Sequence, residues 1–121
     1  MQRPTHNGRV EPRFFSDCQA RVAADLISGR WPMVVLYSLS HGAARPGDLR
    51  RQIGGISQKV LTETLRRLEH NGLVERTRYA EAPPRVEYSL TVAGKDLLVP
   101  IRALGDWAAV YADQLPTENK P

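Results

Sequence analysis

The sequence predicts a mainly α-helical domain with one small β-hairpin, an α+β arrangement, on three observations. Apolar residues recur at helical spacing over most of the chain, one stretch near residue 86 alternates apolar with polar instead, and glycine or proline punctuates each change of period. At 121 residues, with 41% hydrophobic and 25% charged content, the chain can build one domain around a modest core. Residues 1–11 and 117–121 carry no periodicity and are expected to be flexible tails on a folded unit over 12–116.

A first helix is expected over 15–28, where Phe15, Cys18, Val22, Ala23, Leu26 and Ile27 share helical spacing and Gly29 suits the left-handed position after a helix end. The second, over 32–40, carries the almost wholly apolar MVVLYSL and reads as the buried central helix. The chain then turns around Gly42. Pro46 fits the first turn of a short third helix over 46–52, because proline there has no hydrogen bond to lose, and Gly54-Gly55 ends it.

The fourth helix lies in ISQKVLTETLRRLEHNG (56–72), with Ser57 able to cap the amides of its first turn and Asn71-Gly72 as its stop. At about 100° per residue, Val60, Leu61, Thr64, Leu65 and Leu68 fall on one side and Lys59, Thr62, Glu63, Arg66 and His70 on the other. One face is built to pack and the other is left to solvent. Two strands follow, LVERTRY (73–79) and VEYSL (86–90), joined by a tip that Pro83-Pro84 stiffens, with Arg78 and Arg85 at its base.

The last helix runs from Thr91, its expected N-cap, to about 115. Leu97, Ile101, Leu104, Ala108, Tyr111 and Leu115 repeat by fours and threes, which makes a seam for another helix. Pro100 is expected to kink that helix or split it in two, since an interior proline costs about 3 kcal/mol unless the geometry adapts.

Composition excludes several functions. The single cysteine permits no intrachain disulfide, as expected in a reducing compartment, and His6, His41 and His70 are too scattered to begin a metal site. No phosphate-cradling glycine loop, nucleophile elbow or pair of carboxylates occurs, so neither an enzyme nor a bound cofactor is expected. No apolar run reaches the roughly 18 residues of a membrane span, and the opening residues lack a signal-peptide core, so a cytoplasmic location is expected. Charge is more informative. Between Arg45 and Arg85 nine Arg or Lys stand against five Asp or Glu, a surplus equal to the formal net charge of +4 of the whole chain. A basic middle between neutral ends suits a face that binds a polyanion.

The order helix, helix, short helix, helix, hairpin, helix coincides with a winged helix-turn-helix, and particular residues resemble the HxlR family. They are Cys18, the run Gly29-Arg30-Trp31, Gly42 with the segment from Arg45 to Leu49, Gly55 to Thr62, Leu68 to Val74, Pro83 to Thr91, Gly94 and Trp107. The resemblance covers about residues 18–107, and departs from the family where Pro46 stands for its usual aromatic residue and Arg30 for its lysine. It implies a winged helix-turn-helix with N- and C-terminal dimerisation helices, a bacterial repressor or activator acting as a homodimer on a roughly palindromic double-stranded DNA operator. It further implies an effector, a reactive electrophile, an oxidant or a small metabolite, sensed in some members by the cysteine that matches Cys18.

On that reading the fourth helix enters the major groove with Ser57, Gln58, Lys59, Thr62, Glu63 and Arg66 facing the DNA. Ser57 and Lys59 suit phosphates at the helix N-terminus, Gln58 suits adenine, and Arg66 suits guanine or a phosphate. From the hairpin, Arg76, Arg78 and Arg85 are expected at backbone phosphates or in the minor groove, although alternation can also turn Arg76 to the other face. Arg50 and Arg51 are further candidates for phosphate. The dimer interface is expected to involve Phe15, Val22, Leu97, Ile101, Leu104, Trp107, Ala108 and Tyr111. Trp31 and Trp107 read as core or interface residues that could border an effector pocket. Cys18 is either inert filler or a sensor: Arg21 and the helix N-terminus favour a thiolate, and Asp17 opposes it. A winged helix can alternatively serve as a protein-interaction or RNA-binding module without operator specificity, but the fourth helix exposes neither aliphatic anchors nor interleaved aromatics.

Overall fold

The fold is known from a computed structural model that describes residues 19–116. Its elements are α1 (Gln19–Leu26), α2 (Pro32–Ser38) continued by a 3-10 turn (Leu39–His41), α3 (Pro46–Ile53), α4 (Gln58–His70), β1 (Val74–Tyr79), β2 (Arg85–Leu90), α5 (Val92–Tyr111) and a closing 3-10 turn (Ala112–Gln114). The expected tails over 1–11 and 117–121, together with Phe15 and Cys18, lie outside the described residues.

The core is assembled from α2 to α5 and the hairpin. Val35 and Leu36 of α2 and Leu49 of α3 meet Leu61, Leu65 and Leu68 of α4, all with essentially no exposure, and Val74, Tyr88, Leu90, Leu98 and Ile101 close the other side. The packed face of α4 is the one its spacing predicts. Thr64, the polar member of that face, donates its hydroxyl to the Val60 carbonyl at 2.8 Å and so is buried without an orphaned donor.

Local chemistry fixes the ends of α4. The Ser57 hydroxyl accepts from the Val60 amide at 3.1 Å, and at the other end Gly72 takes φ +78° while the Leu73 amide returns to the Leu68 carbonyl at 2.9 Å. Those closures set the angle at which the hairpin leaves the helix. The strands pair antiparallel from Val74↔Leu90 to Tyr79↔Arg85. Ala44, just before α3, adds a bridge to Tyr88, with N–H···O contacts of 2.9 and 2.8 Å in the two directions. The loop leading into α3 is thereby fastened to the hairpin, so the helical pair α3–α4 and the hairpin are joined by hydrogen bonds as well as by packing.

Of the two outcomes expected at Pro100, a kink or a split, the split does not occur: α5 is continuous over 20 residues with Pro100 inside it. Pro100 and Asp96 are both exposed, so the carbonyl deprived of its amide partner lies on a turn that water reaches. The apolar seam of α5 is also divided. Ile101 belongs to the chain's own core and Leu97 packs half-buried against it, alongside Leu98, whereas Leu104, Trp107 and Tyr111 are 52%, 53% and 44% exposed. The first half of the seam completes the domain, and its second half is left uncovered. Ala108 is half-buried, and Val22 on α1 is exposed. Among the described residues no helix is long and apolar enough to cross a membrane.

Candidate nucleic-acid interface

The free face of α4 begins at its N-cap. Ser57 spends a lone pair on the Val60 amide, which leaves its hydroxyl hydrogen and the first-turn amides pointing out of the helix end. Gln58 is held from behind, its Oε1 accepting from Arg50 Nη1 at 3.3 Å, so α3 braces the start of α4 and the amide group of Gln58 remains as a donor. Lys59, Glu63 and Arg66 are exposed. Glu63 stands four residues from Lys59 and three from Arg66, yet neither cation forms an ion pair with it among the described residues. Both charges are thus available to another molecule. Thr62 is half-buried at the margin of this face.

The hairpin treats its three arginines differently. Arg78 is exposed and has no ion-pair partner among the described residues. Arg76 turns back toward α4, where its Nε lies 3.7 Å from a Glu69 carboxylate oxygen. Arg85 departs from the expected phosphate contact. Its Nη1 donates to Glu87 at 2.8 Å, its Nη2 to Glu81 at 3.0 Å, and its guanidinium lies 4.0 Å from the centre of the Tyr79 ring. Two carboxylates and an aromatic face neutralise and hold it, and its Nε is buried without a partner. Arg85 therefore clamps the two strands together at the loop end of the hairpin. Arg51 is likewise engaged, by Asp48 on its own helix.

One functional candidate escaped the sequence. Arg67 sends both terminal nitrogens to the end of α1: Nη1 to the Ser28 carbonyl at 2.8 Å, Nη2 to the Asp25 carbonyl at 2.8 Å and to Ser28 Oγ at 3.0 Å. The available signal was its spacing, three residues after buried Thr64, which sets it at the edge of the packed face and not on the free one.

A groove of about 430 Å³ runs between α2 and α3, lined by Met33, Val34, Tyr37, Ser38, His41, Gln52 and Ile53. Neither Trp31 nor Trp107 borders it. Trp31 is half-buried under the Arg30 guanidinium at 4.7 Å, and Trp107 lies against Tyr111 with ring centres 5.3 Å apart. Among the described residues no three His, Cys, Asp or Glu side chains gather where they could hold a metal ion.

A basic, unpaired helix face braced by a preceding helix and flanked by a stiff hairpin is the geometry of a winged helix-turn-helix, and comparison with known proteins agrees. The family model for the HxlR-like helix-turn-helix matches residues 26–116. The HTH-type transcriptional regulator YkvN of Bacillus subtilis strain 168 is 43% identical over 103 residues, spanning 85% of this chain and 87% of that protein. Among solved structures, the redox regulator HypR in its reduced form is similar with a TM-score of 0.73 at 35% identity, over 78% of this chain and 93% of that one. Diamide-treated YodB from B. subtilis is similar at 0.67 and 34% identity, over 75% of this chain and 90% of that one. These relatives are regulators and not enzymes. The family match covers the chain from the end of α1 through α5, and with it the helical pair and the hairpin: the protein belongs to the HxlR-like helix-turn-helix family of transcriptional regulators.

Proposed function

We propose that the protein binds a two-fold DNA operator as a homodimer, with α4 of each copy in a major groove and the hairpin against the flanking backbone. The observation that carries this reading is the division of α4, whose Leu61, Leu65 and Leu68 are at most 1% exposed while Lys59, Glu63 and Arg66 on the other side are exposed and form no ion pair among the described residues. A major groove about 12 Å wide admits a helix and lets such side chains reach base edges. Arg66 reads guanine or holds a phosphate, Gln58 offers its amide to a base edge, and Ser57 and Lys59 meet phosphate at the helix N-terminus. Arg78 contributes affinity without sequence preference. Arg85 acts indirectly, by keeping the hairpin in shape, and Arg76 sits beside Glu69 as a brace.

The exposed Leu104, Trp107 and Tyr111 of α5, with Val22 of α1, supply an apolar surface suited to a two-fold contact between copies. The likeness to HypR, a redox regulator, and to YodB treated with diamide supports an oxidant or reactive electrophile as effector, with Cys18 as the responding thiol. A role on chromosomal DNA implies a cytoplasmic location.

Fluorescence anisotropy tests the reading, using the intergenic DNA upstream of the protein's own gene against a scrambled duplex at physiological salt. The expected preference is on the order of a thousandfold. Equal affinity for the two duplexes would overturn it.

A further inference from the structure

The helix α1 buries none of its residues, and only Leu26 and Ile27 at its end pack partly against the core. Its last turn is nevertheless gripped. Arg67 on α4 reaches across 39 to 42 residues of sequence to the Asp25 and Ser28 carbonyls and the Ser28 hydroxyl, at 2.8, 2.8 and 3.0 Å. Ser28 Oγ in turn donates to the Asp25 carbonyl at 3.2 Å, so the acceptors form a single cluster.

The chemistry of a helix end explains the choice of residue. Carbonyls in the last turn have no intrahelical amide, and the negative end of the helix dipole lies there, so a cation is favoured on both counts. A planar guanidinium presents several donors in fixed directions and can engage all three oxygens together. A lysine ammonium on the same stem is a point charge and cannot reproduce that fork. Arg67 follows Arg66 directly, so the helix that offers Arg66 outward is, one residue later, bonded to α1.

We infer that Arg67 couples the position of α1 to that of α4, and that it sets operator affinity through α1 without touching DNA. This rests on the reading of α4 as the helix in the groove. Two such helices in a dimer must keep a fixed spacing to enter successive grooves, so whatever displaces α1 is passed through Arg67 to the part of the molecule that reads DNA. Arg67 is thus a positioning residue.

The test uses the full chain with Arg67→Ala and Arg67→Lys, read by amide hydrogen exchange and by operator affinity across a salt series. Both variants are expected to speed exchange over residues 21–28 while the amides of 61–68 stay protected. Both should lower operator affinity by about tenfold, within the usual range for coupled sites, with random-DNA binding and the salt dependence unchanged. Lysine separates the alternatives, since it keeps the charge a phosphate contact needs and loses the fork that coupling needs. Should Arg67→Lys behave like wild type, or should Arg67→Ala flatten the salt dependence by about one phosphate and weaken random DNA alike, Arg67 is a phosphate contact and the inference fails. Unchanged exchange in α1 overturns it as well. A wild-type protein with no preference for the operator would overturn the DNA reading itself, and this inference with it.

Discussion

Gly94, in the first turn of α5, lies so close to Leu73 that a Cβ at this position would overlap the Leu73 carbonyl oxygen and stand 3.2 Å from Leu90 Cδ2. The same carbonyl accepts the Thr91 amide at 3.1 Å, and the Thr91 hydroxyl donates to Gly72 while accepting from Gly94. The root of α5 is therefore seated directly on the turn between α4 and β1. The requirement is for space, and the atom in the way is backbone, which cannot swing aside.

Gly94→Ala is accordingly expected to destabilise the protein by roughly 3 kcal/mol, at the upper end of overpacking costs, and to lower the melting temperature by more than about 10 °C. Thermal denaturation followed by circular dichroism measures this. A melting temperature within a degree or two of wild type would mean that α5 can slide off the turn at little cost.

Arg78 and Arg85 stand on the same hairpin and should fail in different ways. Removing the free charge with Arg78→Ala should weaken operator and random DNA alike, several-fold, and reduce the salt slope by about 1. Arg85→Ala removes the clamp on Glu81, Glu87 and Tyr79, so it should loosen the hairpin and weaken the operator complex without changing that slope. Affinity titrations at several salt concentrations distinguish the two, and a slope reduced by Arg85→Ala would restore it to the list of phosphate contacts.

Most of the fold was legible because each element carries its own local signal. Pro46 opens α3, Ser57 caps α4, Gly72 stops it, Thr91 caps α5, and the period-2 run ending at Leu90 makes β2. What could not be read from spacing depends on which side chains the fold brings together. Arg85 looks like any basic residue at a hairpin base until the register sets Tyr79 opposite it and the loop turns Glu81 back onto its guanidinium. Arg67 looks like a second copy of Arg66 until α1 is placed against it. The α5 seam misled for a related reason: a repeat of fours and threes says that a stripe will be covered, but Leu97 and Ile101 are covered by the same chain.

Arg66→Ala and Lys59→Ala should separate base reading from phosphate contact on α4. If Arg66 pairs with guanine, its loss should cost about 1–3 kcal/mol on the operator and relax the sequence preference at one position in each half-site. Lys59→Ala should weaken binding across all sequences instead. Selection of binding sites from a randomised duplex by each variant is the measurement, and an unchanged selected motif with Arg66→Ala would reduce Arg66 to a backbone contact.

Leu104 is half exposed on the uncovered part of α5, beside the Trp107–Tyr111 pair. Leu104→Asp places a charge in the middle of the apolar stripe without disturbing the buried Leu98 and Ile101, so the fold should persist while the dimer dissociates. Light scattering at micromolar concentration is expected to show a dimer for wild type and a monomer for the variant, with operator binding lost. A wild-type monomer under those conditions would remove the two-fold operator from the reading.

Cys18 lies outside the described residues, next in sequence to Gln19, the first described residue of α1. Its sequence neighbours oppose one another, with Asp17 disfavouring a thiolate and Arg21 favouring it, so its reactivity has to be measured. If it is the responding thiol, an oxidant that joins two such thiols, or an electrophile that alkylates one, adds a cross-link or bulk next in sequence to the helix whose far end Arg67 holds. Displacement of α1 then reaches α4, and operator affinity changes. A gel shift with diamide and with methylglyoxal, run on wild type and on Cys18→Ser, is expected to show a response in the first and none in the second. Should both proteins respond alike, or neither respond, Cys18 is structural and the effector binds without a covalent bond; the groove between α2 and α3 beside Tyr37 and His41 is then the first place to seek it.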